Sequence, residues 1–521
     1  MKILFRYLSI LAITTTLISC GDGINKYAPV GAISAGEHTQ VNTSYGTIEG
    51  YLDGDIYTFK GIKYAVAERF MPPQAPPVFE GVRQCKLYGP QTLQTETLVW
   101  RDDSQRDYTF GNQFVLEPMS EDCLVLNVWT PSISDNKKRP VFLWIHGGGY
   151  SSGSGHDLPC YEGRALADKG DIVVVNINHR LNVLGYLDLT ELGGKYENSV
   201  NLGQQDIVKA LEWVRDNISR FGGNPDDVTI GGQSGGGGKV SALLAMPSAK
   251  GLFKKAIVQS GSFLRVADPE VSGKQGLAFV EALGVKPGPD ADLSKFSYEE
   301  LLAASRASRA GAGPVGDGRI IAMSPEDNGA PELSKDVPLL VGTDYNEFTF
   351  DVNIDESEEA VRAQLQRRYG DRTDEFIEVF RNAYPSSPLK HAVYADLNFR
   401  AGAVRQAAAK AEQGGAPAYL YLFTWMPDND LGASHGMELP FMFNNVALMR
   451  EMTGGTDRAY AFQEKVSDIW LSFIKNGDPN CKGIPEWEPY SADNGFTMIL
   501  DDECYPALHH DTDLLNFNAR R

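Results

Sequence analysis

Short apolar segments alternate along the chain with longer segments whose apolar residues recur at helical spacing. Each short segment is too brief for a buried helix, and together they comprise residues 140–145 (PVFLWI), 228–230 (VTI), 337–342 (VPLLVG) and 418–423 (AYLYLF). Such runs are typical of strands that are buried on both faces. A longer segment, residues 204–219, places on one helical face Ile207, Leu211, Val214 and Ile218. The alternation predicts an α/β fold in which helices cover a mostly parallel sheet.

No repeat, charge block or Pro/Ser-rich linker divides the interior of the 521-residue chain. We therefore expect one large α/β unit with insertions, although the length alone would be compatible with about three domains. Residues 268–324 and 351–411 are polar and less regular, and their pattern indicates helices. We expect these two insertions to form a cap over the pocket.

The net charge of −20, from 68 acidic and 48 basic residues, argues against nucleic-acid binding. Phosphate contacts require a basic surface. The same charge mildly disfavours strongly anionic substrates, although a local basic pocket could override it. Most of the acidic residues are expected to keep the surface solvated.

The first candidate for chemistry is Ser234, which lies in a GxSxG motif directly after the strand-like 228–230. A serine hydroxyl is a weak nucleophile, and catalysis presents it on a sharp strand-to-helix turn. The close backbone approach at such a turn favours glycine two residues before and after the serine, where Gly232 and Gly236 stand. A phosphate-binding loop fits less well, because the P-loop pattern requires Gly at Gln233 and Ser or Thr at Val240.

A second Gly-rich turn, His146 to Gly149 (HGGG), follows the predicted strand 140–145. Acyl transfer to a serine produces an oxyanion, and glycines after a strand allow backbone N–H groups to approach it. The order of the two motifs predicts that an acid and then a histidine follow the serine.

The histidine that fits best is His435, in a loop after the strand-like 418–423. The acid is expected just after strand 337–342, where either Asp344 or Glu347 could lie at the carboxyl edge of the sheet. Spacing alone does not choose between them. A metal site at His509, His510 and Asp511 lacks a fourth ligand, so no metal and no cofactor are expected.

With these residues in place, the chain resembles the type-B carboxylesterases, the family of cholinesterases and bacterial para-nitrobenzyl esterases. The matching stretches run from about Tyr45 to Tyr490 and include SEDCLVLNVW (120–129), WIHGGGYSSG (144–153), VVVNINHRLNVLGYL (173–187), NLGQQDIVKALEWVRDNISRFGGNPDDVTI (201–230), AIVQSGS (256–262) and FIKNGDPN (473–480). The resemblance implies an α/β-hydrolase fold.

It also implies a role for individual residues. Ser234 matches the nucleophile, His435 the base and Glu347 the acid. The oxyanion donors correspond to Gly148, Gly149 and Gly235. Ser260 matches a serine that lies near the acid, and Cys85 with Cys123 matches a disulfide.

Several positions depart from the family pattern. Gln233 replaces a Glu that commonly precedes the nucleophile, which removes a negative charge from the pocket. Asn346 and Phe348 flank Glu347 where Asp and Gly are usual, so Asp344 remains an alternative acid. The cation-binding Trp of the cholinesterases has no counterpart, because Trp100 does not align with it, and choline esters are not expected as substrates.

The resemblance implies a serine carboxylesterase that hydrolyses small carboxylic esters through an acyl-enzyme on Ser234, without a cofactor. A lipase or an amidase would use the same residues on another acyl donor. Some relatives, such as neuroligin-like adhesion proteins, have lost the serine and act by binding. The intact set in this chain argues against that alternative.

The N-terminus has the features of a targeting segment. Lys2 and Arg6 precede an apolar run from Leu8 to Ile18, which ends in Leu-Ile-Ser-Cys20. This ending resembles a bacterial lipoprotein signal, so we expect a signal peptide at 1–19, a lipidated Cys20, a tether at 20–40 and the catalytic domain at 41–521. The protein would then be exported and lipid-anchored in the bacterial cell envelope. A plain secretory signal, with Cys20 incidental, is the alternative.

Export to an oxidising compartment would favour pairing among the 6 cysteines. Besides the pair implied by the resemblance, Cys481 and Cys504 are close enough in sequence to pair. Cys160 is then left buried or free.

Overall fold

The fold is that of a computed structural model, which describes residues 33–94, 118–262, 266–311, 313–322, 330–348, 357–428 and 431–520. Cys20 and Trp100 lie outside these residues. Within them the strands are β1 (Ile33–Ser34), β2 (Gln40–Thr43), β3 (Gly46–Glu49), β4 (Tyr51–Asp53), β5 (Ile56–Lys63), β6 (Val82–Gln84), β7 (Val125–Thr130), β8 (Arg139–Ile145), β9 (Val173–Ile177), β10 (Gly223–Gln233), β11 (Lys255–Gln259), β12 (Leu339–Asp344), β13 (Ala418–Phe423), β14 (Phe496–Leu500) and β15 (Tyr505–Leu508).

The described helices are α1 (Arg164–Gly170), α2 (Asn182–Tyr186), α3 (Leu202–Asn217), α4 (Gly235–Leu243), α5 (Pro269–Ala282), α6 (Tyr298–Ser308), α7 (Glu358–Tyr369), α8 (Thr373–Ala383), α9 (His391–Tyr394), α10 (Asn398–Glu412), α11 (Leu439–Met442), α12 (Arg450–Thr453), α13 (Asp457–Asn476) and α14 (Thr512–Ala519). None of the helices in the described ranges combines the length and apolarity needed to cross a membrane.

Among the described residues, one large sheet has the strand order β1-β4-β5-β7-β9-β8-β10-β11-β12-β13-β14-β15. The seven neighbouring strands from β9 to β14 pair in parallel, whereas both edges of the sheet pair antiparallel. A small sheet of β2, β3 and β6 lies apart from it. Because the parallel strands share a direction, the loops after β8, β10, β12 and β13 emerge at one edge.

Alternating side chains of β8 contribute to two hydrophobic cores. Phe142 and Trp144 pack with Trp470 of α13 in one core, whereas Leu143 and Ile145 pack with Leu211 of α3 in the other. Strand side chains alternate between the faces of a sheet, so the two cores lie on opposite faces. Helices thus cover both faces, and the predicted α/β class is confirmed.

The predicted amphipathic helix at 204–219 is present as α3. The two polar insertions hold α5 with α6 and α7 to α10, as their pattern indicates. A third hydrophobic cluster joins Phe279 of α5 and Leu301 of α6 to Leu189. That the insertions form a cap over the pocket stays a prediction.

Ordered pairing begins before the predicted domain boundary at residue 41. Ile33 and Ser34 pair with Asp53 and Leu52 at the edge of the large sheet. The signal peptide at 1–19, the lipidation site at Cys20 and the tether up to residue 32 lie outside the described residues, and they stay predictions.

The structure contradicts the expected disulfide between Cys85 and Cys123, since both are free thiols. The side chain that contacts the Cys123 sulfur is Thr92, whose hydroxyl donates a hydrogen bond to Sγ at 3.1 Å. Cys85 is held elsewhere, between the small sheet and β5, where its N–H donates to Glu49 and its carbonyl accepts from Lys60. The expected pairing of Cys481 with Cys504 is also absent, and Cys160 is buried and free, as foreseen.

Candidate active site

Ser234 occupies the single residue between β10, which ends at Gln233, and α4, which begins at Gly235. Its φ of 58° and ψ of −127° fall in a region that non-glycine residues rarely adopt. Its backbone N–H donates to the carbonyl of Gln259 at the end of neighbouring β11, at 2.8 Å. The strand-to-helix turn that GxSxG predicts is therefore present, and its strained residue is the serine.

The flanking glycines are explained by backbone contacts. A Cβ added at Gly232 would lie 2.5 Å from the carbonyl carbon of Gly236, and one added at Gly236 would lie 2.1 Å from the carbonyl oxygen of Ile145. Neither contact can be relieved by moving a side chain. The steric reason for glycine at these two positions is confirmed.

The loop after β8 lies against this turn. A Cβ added at Gly147 would be 3.4 Å from the Cβ of Ser234, and one at Gly235 would be 2.1 Å from the carbonyl oxygen of Gly149. Gly148 has a φ of +81°, and a Cβ there would meet the Ser152 carbonyl oxygen at 2.2 Å. The backbone of 147–149 and the N-terminus of α4 are thus packed against each other beside the serine.

Glu347 and His435 form the second half of the site. The side-chain oxygen Oε2 of Glu347 is hydrogen-bonded to Nδ1 of His435. The backbone N–H of His435 also donates to the carbonyl of Glu347, at 2.7 Å. Both side chains are buried. Within the described chain, Nε2 of His435 has no hydrogen-bond partner, which leaves this nitrogen available for a proton transfer.

The histidine loop also lies close to the residue next to Ser234. A Cβ added at Gly436 would lie 3.6 Å from Nε2 of Gln233, and a Cβ at Gly147 would lie 3.3 Å from Oε1 of the same side chain. Gln233 is therefore placed between the Gly-rich loop and the loop that carries His435.

Asp344, the alternative acid, has a different set of partners. Its Oδ2 accepts a hydrogen bond from the N–H of Gly436 at 2.8 Å, and its own N–H donates to Oε1 of Glu347 at 3.0 Å. Burial and the neighbouring Glu438 carboxyl raise the pKa of Asp344 well above its usual value. The structure thus brings Glu347, and not Asp344, into contact with the His435 ring.

Ser260 follows β11 and lies beside the acid loop. Its N–H donates to the carbonyl of Gly342 in β12 at 2.8 Å, and its φ is +46°. The buried hydroxyl has no hydrogen-bond partner among the described residues. Ser260 therefore lies next to β12, the strand that precedes Glu347.

Sequence reasoning missed two aromatic contacts with His435. The ring of Phe348 stacks on the imidazole with centroids 4.1 Å apart, and Phe399 of α10 meets it edge-on at 5.7 Å. Phe348 is 55% exposed and therefore borders the site. The signal was present in the sequence, since Phe348 replaces the glycine that is usual after the acid.

Lys239 is a further residue near the site that the sequence analysis did not identify. It is fully buried on α4, and its ammonium donates to the carbonyl of His146 at 3.2 Å. Burial lowers the pKa of Lys239 to about 7. Burial also keeps the pKa of His146 well below its usual value, so this ring is neutral at pH 7. Its Nδ1 lies 2.9 Å from the carbonyl oxygen of Gly147.

No group of three or more His, Cys, Asp or Glu side chains in the described part of the chain is arranged to hold a metal ion. The residues considered at the C-terminus have structural partners instead. Asp511 forms a buried ion pair with Arg400, and the His510 ring packs edge-on against Tyr384.

Comparisons with known proteins identify the family of the chain. The family model described as the carboxylesterase family matches residues 37–513. The para-nitrobenzyl esterase of Bacillus subtilis is 35% identical over 489 residues, which cover 89% of this chain and 95% of the relative. The phenmedipham hydrolase of Pseudarthrobacter oxydans is 30% identical over 487 residues, covering 89% of this chain and 95% of the relative.

Solved structures of esterases also resemble this chain over nearly its whole length. An esterase from Clostridium hathewayi, described as able to hydrolyse aliphatic aromatic polyesters, superposes with a TM-score of 0.85 at 34% identity, covering 94% of this chain and 99% of that one. A para-nitrobenzyl esterase structure superposes with a TM-score of 0.75 at 32% identity and covers 92% of this chain and 99% of that chain. The chain belongs to the carboxylesterase family, and it is a carboxylic ester hydrolase with the α/β-hydrolase fold.

Proposed function

We propose that Ser234, His435 and Glu347 are the catalytic triad through which this chain hydrolyses carboxylic esters. The observation that carries the proposal is the Glu347–His435 hydrogen bond, on a loop that lies close to the residue beside the strained Ser234. This arrangement supports the proposal, because a nucleophile, a base and a group that orients the base are the parts that such catalysis requires at one edge of the sheet.

Each residue has a defined chemical task in this proposal. Nε2 of His435 takes the proton from Oγ of Ser234 as that oxygen attacks the ester carbonyl. Glu347 fixes the imidazole tautomer and stabilises the imidazolium. The N–H groups of Gly148, Gly149 and Gly235 bind the oxyanion, the alcohol leaves with the proton from His435, and water then releases the acid from the acyl-enzyme.

Replacing Ser234 by Ala tests this assignment. We expect kcat/KM for a para-nitrophenyl acyl ester to fall by several orders of magnitude, because loss of a triad member removes nucleophilic catalysis. Ser241→Ala, a change of the same kind on α4 where the hydroxyl accepts a hydrogen bond from Gln406, should retain full activity. Hydrolysis by Ser234→Ala within about tenfold of the wild type would refute the proposal.

The substrate class that we propose is small carboxylic esters with apolar groups. The exposed Phe348 beside the His435 ring supports this choice, since it offers an apolar surface next to the reacting atoms. Short-chain and long-chain para-nitrophenyl esters, with a para-nitroanilide as control, separate an esterase from a lipase or an amidase. Faster hydrolysis of the anilide or of the long-chain ester would contradict the proposed class.

We further propose that the protein is exported and anchored in the cell envelope through a lipid on Cys20. The support is the sequence pattern of two basic residues, an apolar run and Leu-Ile-Ser before Cys20. In a bacterial host, labelled fatty acid should be incorporated into the wild type but not into Cys20→Ser. Membrane association without any incorporated label would contradict the lipid anchor.

A further inference from the structure

Three aromatic rings form a cluster at His435. The ring of Phe348 stacks on the imidazole, with centroids 4.1 Å apart and an angle of 28° between the planes. Phe399 meets the imidazole edge-on at 5.7 Å and lies 5.5 Å from the Phe348 ring. These separations lie in the range in which aromatic rings attract each other. The imidazole of the proposed base is therefore in contact with two apolar side chains.

Backbone hydrogen bonds hold the two phenylalanines beside this imidazole. Phe348 directly follows the acid, whose carbonyl accepts from the N–H of His435 at 2.7 Å. The N–H of Phe399 donates to Oδ2 of Asp396 at 2.8 Å, and the N–H of Asp396 donates to the carbonyl of Tyr345, also at 2.8 Å. The loop after β12 thus fixes the positions of both aromatic residues relative to the histidine.

Phe348 differs from the other residues of this loop in its exposure. The side chains of Glu347 and His435 are buried, whereas Phe348 is 55% exposed. Covering an exposed aromatic ring with another apolar group is favourable, because apolar surface is removed from water. An ester whose reacting atoms reach the His435 ring brings its substituents against Phe348.

The proposed mechanism decides which half of the ester lies there. When the tetrahedral intermediate collapses, the bond between the carbonyl carbon and the alcohol oxygen breaks, and Nε2 of His435 gives that oxygen its proton. The alcohol oxygen must then lie within hydrogen-bonding distance of Nε2. The group attached to this oxygen is therefore adjacent to the imidazole and to the ring stacked on it, whereas the acyl group stays on the carbon that is bound to Ser234.

We propose that Phe348, supported by Phe399, determines specificity for the alcohol half of the ester and selects esters of aromatic alcohols. The inference rests on the proposed triad and deepens it, since it assigns one half of the substrate to one side chain. An aromatic alcohol group stacks on the exposed Phe348 ring. An aliphatic alcohol group of similar size gains less from the same contact.

Benzyl acetate and methoxyethyl acetate test the assignment. Their alcohols are similar in acidity, so the two leaving groups make similar demands on His435, but only the benzyl group has an aromatic ring. We expect the wild type to have the higher kcat/KM for benzyl acetate. Phe348→Ala should lower the ratio of the two kcat/KM values by about 5- to 10-fold, mainly through a higher KM for benzyl acetate. Because it is a ratio, it does not depend on the fraction of folded enzyme.

Two further variants and a second substrate pair serve as comparisons. Phe348→Leu keeps an apolar side chain beside His435 but has no ring, so its ratio should also fall, by less than that of Phe348→Ala. Tyr505→Ala removes an aromatic ring of nearly the same exposure, 53%, from β15 and should keep the wild-type ratio. Para-nitrophenyl acetate and para-nitrophenyl butyrate differ only in the acyl half, and Phe348→Ala should leave their ratio within about twofold of the wild type.

An unchanged benzyl-to-methoxyethyl ratio in Phe348→Ala and Phe348→Leu would overturn the inference. An equal fall of kcat for both acetates would also overturn it, because the ring would then only position His435. A larger change in the acyl pair than in the alcohol pair would assign Phe348 to the wrong half of the ester. A failure of the proposed triad is distinguishable from these results, since it would appear as a Ser234→Ala variant that remains active.

Discussion

At the scale of single residues, the site depends on backbone conformations that cost free energy. Ser234 has a φ of 58° and Glu347 a φ of 41°, both unusual for residues with a side chain. Such strain persists when the surrounding contacts fix it. Here the N–H of Ser234 is held by the Gln259 carbonyl, and the carbonyl of Glu347 by the N–H of His435.

Glu347→Gln should lower kcat by about 10⁴-fold with little change in KM. The amide keeps the shape of the side chain, but it no longer stabilises the imidazolium and it favours the wrong tautomer of His435. Steady-state kinetics on a para-nitrophenyl ester measure the effect, and Asp344→Asn is the matched control. A Glu347→Gln enzyme more active than Asp344→Asn would reverse the assignment of the acid.

The sequence predicted the strand-to-helix turn at Ser234 and the loop after β13 in which His435 lies, and the structure has both. It did not separate Glu347 from Asp344, because both follow β12 closely and only the folded backbone shows which carboxyl reaches the ring. The disulfide expectation was wrong for a related reason. Nothing in the spacing of Cys85 and Cys123 showed that Thr92 contacts the sulfur.

At the scale of elements, the site is assembled by loops that leave the same edge of a parallel sheet. The Gly-rich loop after β8 is held against α4 by the contact of Gly235 with the Gly149 carbonyl and by Lys239 on the His146 carbonyl. The strand pattern predicted these elements well, because buried parallel strands have a distinctive apolar run. It did not predict the side chain of Lys239, since a lysine on a helix is usually solvated.

Gly148→Ala tests the Gly-rich loop. The new Cβ would lie 2.2 Å from a backbone oxygen of Ser152 at a φ of +81°, so the loop must move. Displacing an oxyanion donor should lower kcat by about 10²- to 10³-fold and affect KM less. Gly193→Ala provides the control, because its φ is +69° but no atom lies within 4 Å of the added Cβ. Equal kcat values for the two variants would argue against a role of this loop in catalysis.

At the scale of the whole molecule, two cores on opposite faces of one sheet leave many polar groups buried. The uninterrupted apolar run of β8 was enough to predict a strand that is buried on both faces of the sheet. The buried polar groups were not predictable, because a histidine or a carboxylate gives no pattern in the sequence that indicates its burial. His146, His156, His179 and Asp344 all lie inside the fold.

The buried histidines should make the protein sensitive to acid. Burial, with the charge of Lys60, lowers the pKa of His156 to about 4. The unfolded chain binds a proton at this imidazole below about pH 6.5, whereas the folded chain does not until about pH 4, so the free energy of unfolding falls as the pH decreases between these values.

His156→Phe should remove up to about 3 kcal/mol of this pH dependence between about pH 7 and pH 4.5. Urea denaturation at the two pH values measures it, and His38→Phe, at an exposed position, is the control. The same loss of stability on acidification in wild type and His156→Phe would show that this imidazole does not contribute.

The most direct test of the whole account is to trap the nucleophile. A para-nitrophenyl phosphonate ester should add one phosphonyl group per chain, release one para-nitrophenolate and abolish hydrolysis in step with labelling, since the adduct resembles the tetrahedral intermediate. Peptide mass spectrometry should locate the adduct on Ser234. An adduct on another residue, or complete labelling of Ser234 in an enzyme that still hydrolyses esters, would contradict the central claim.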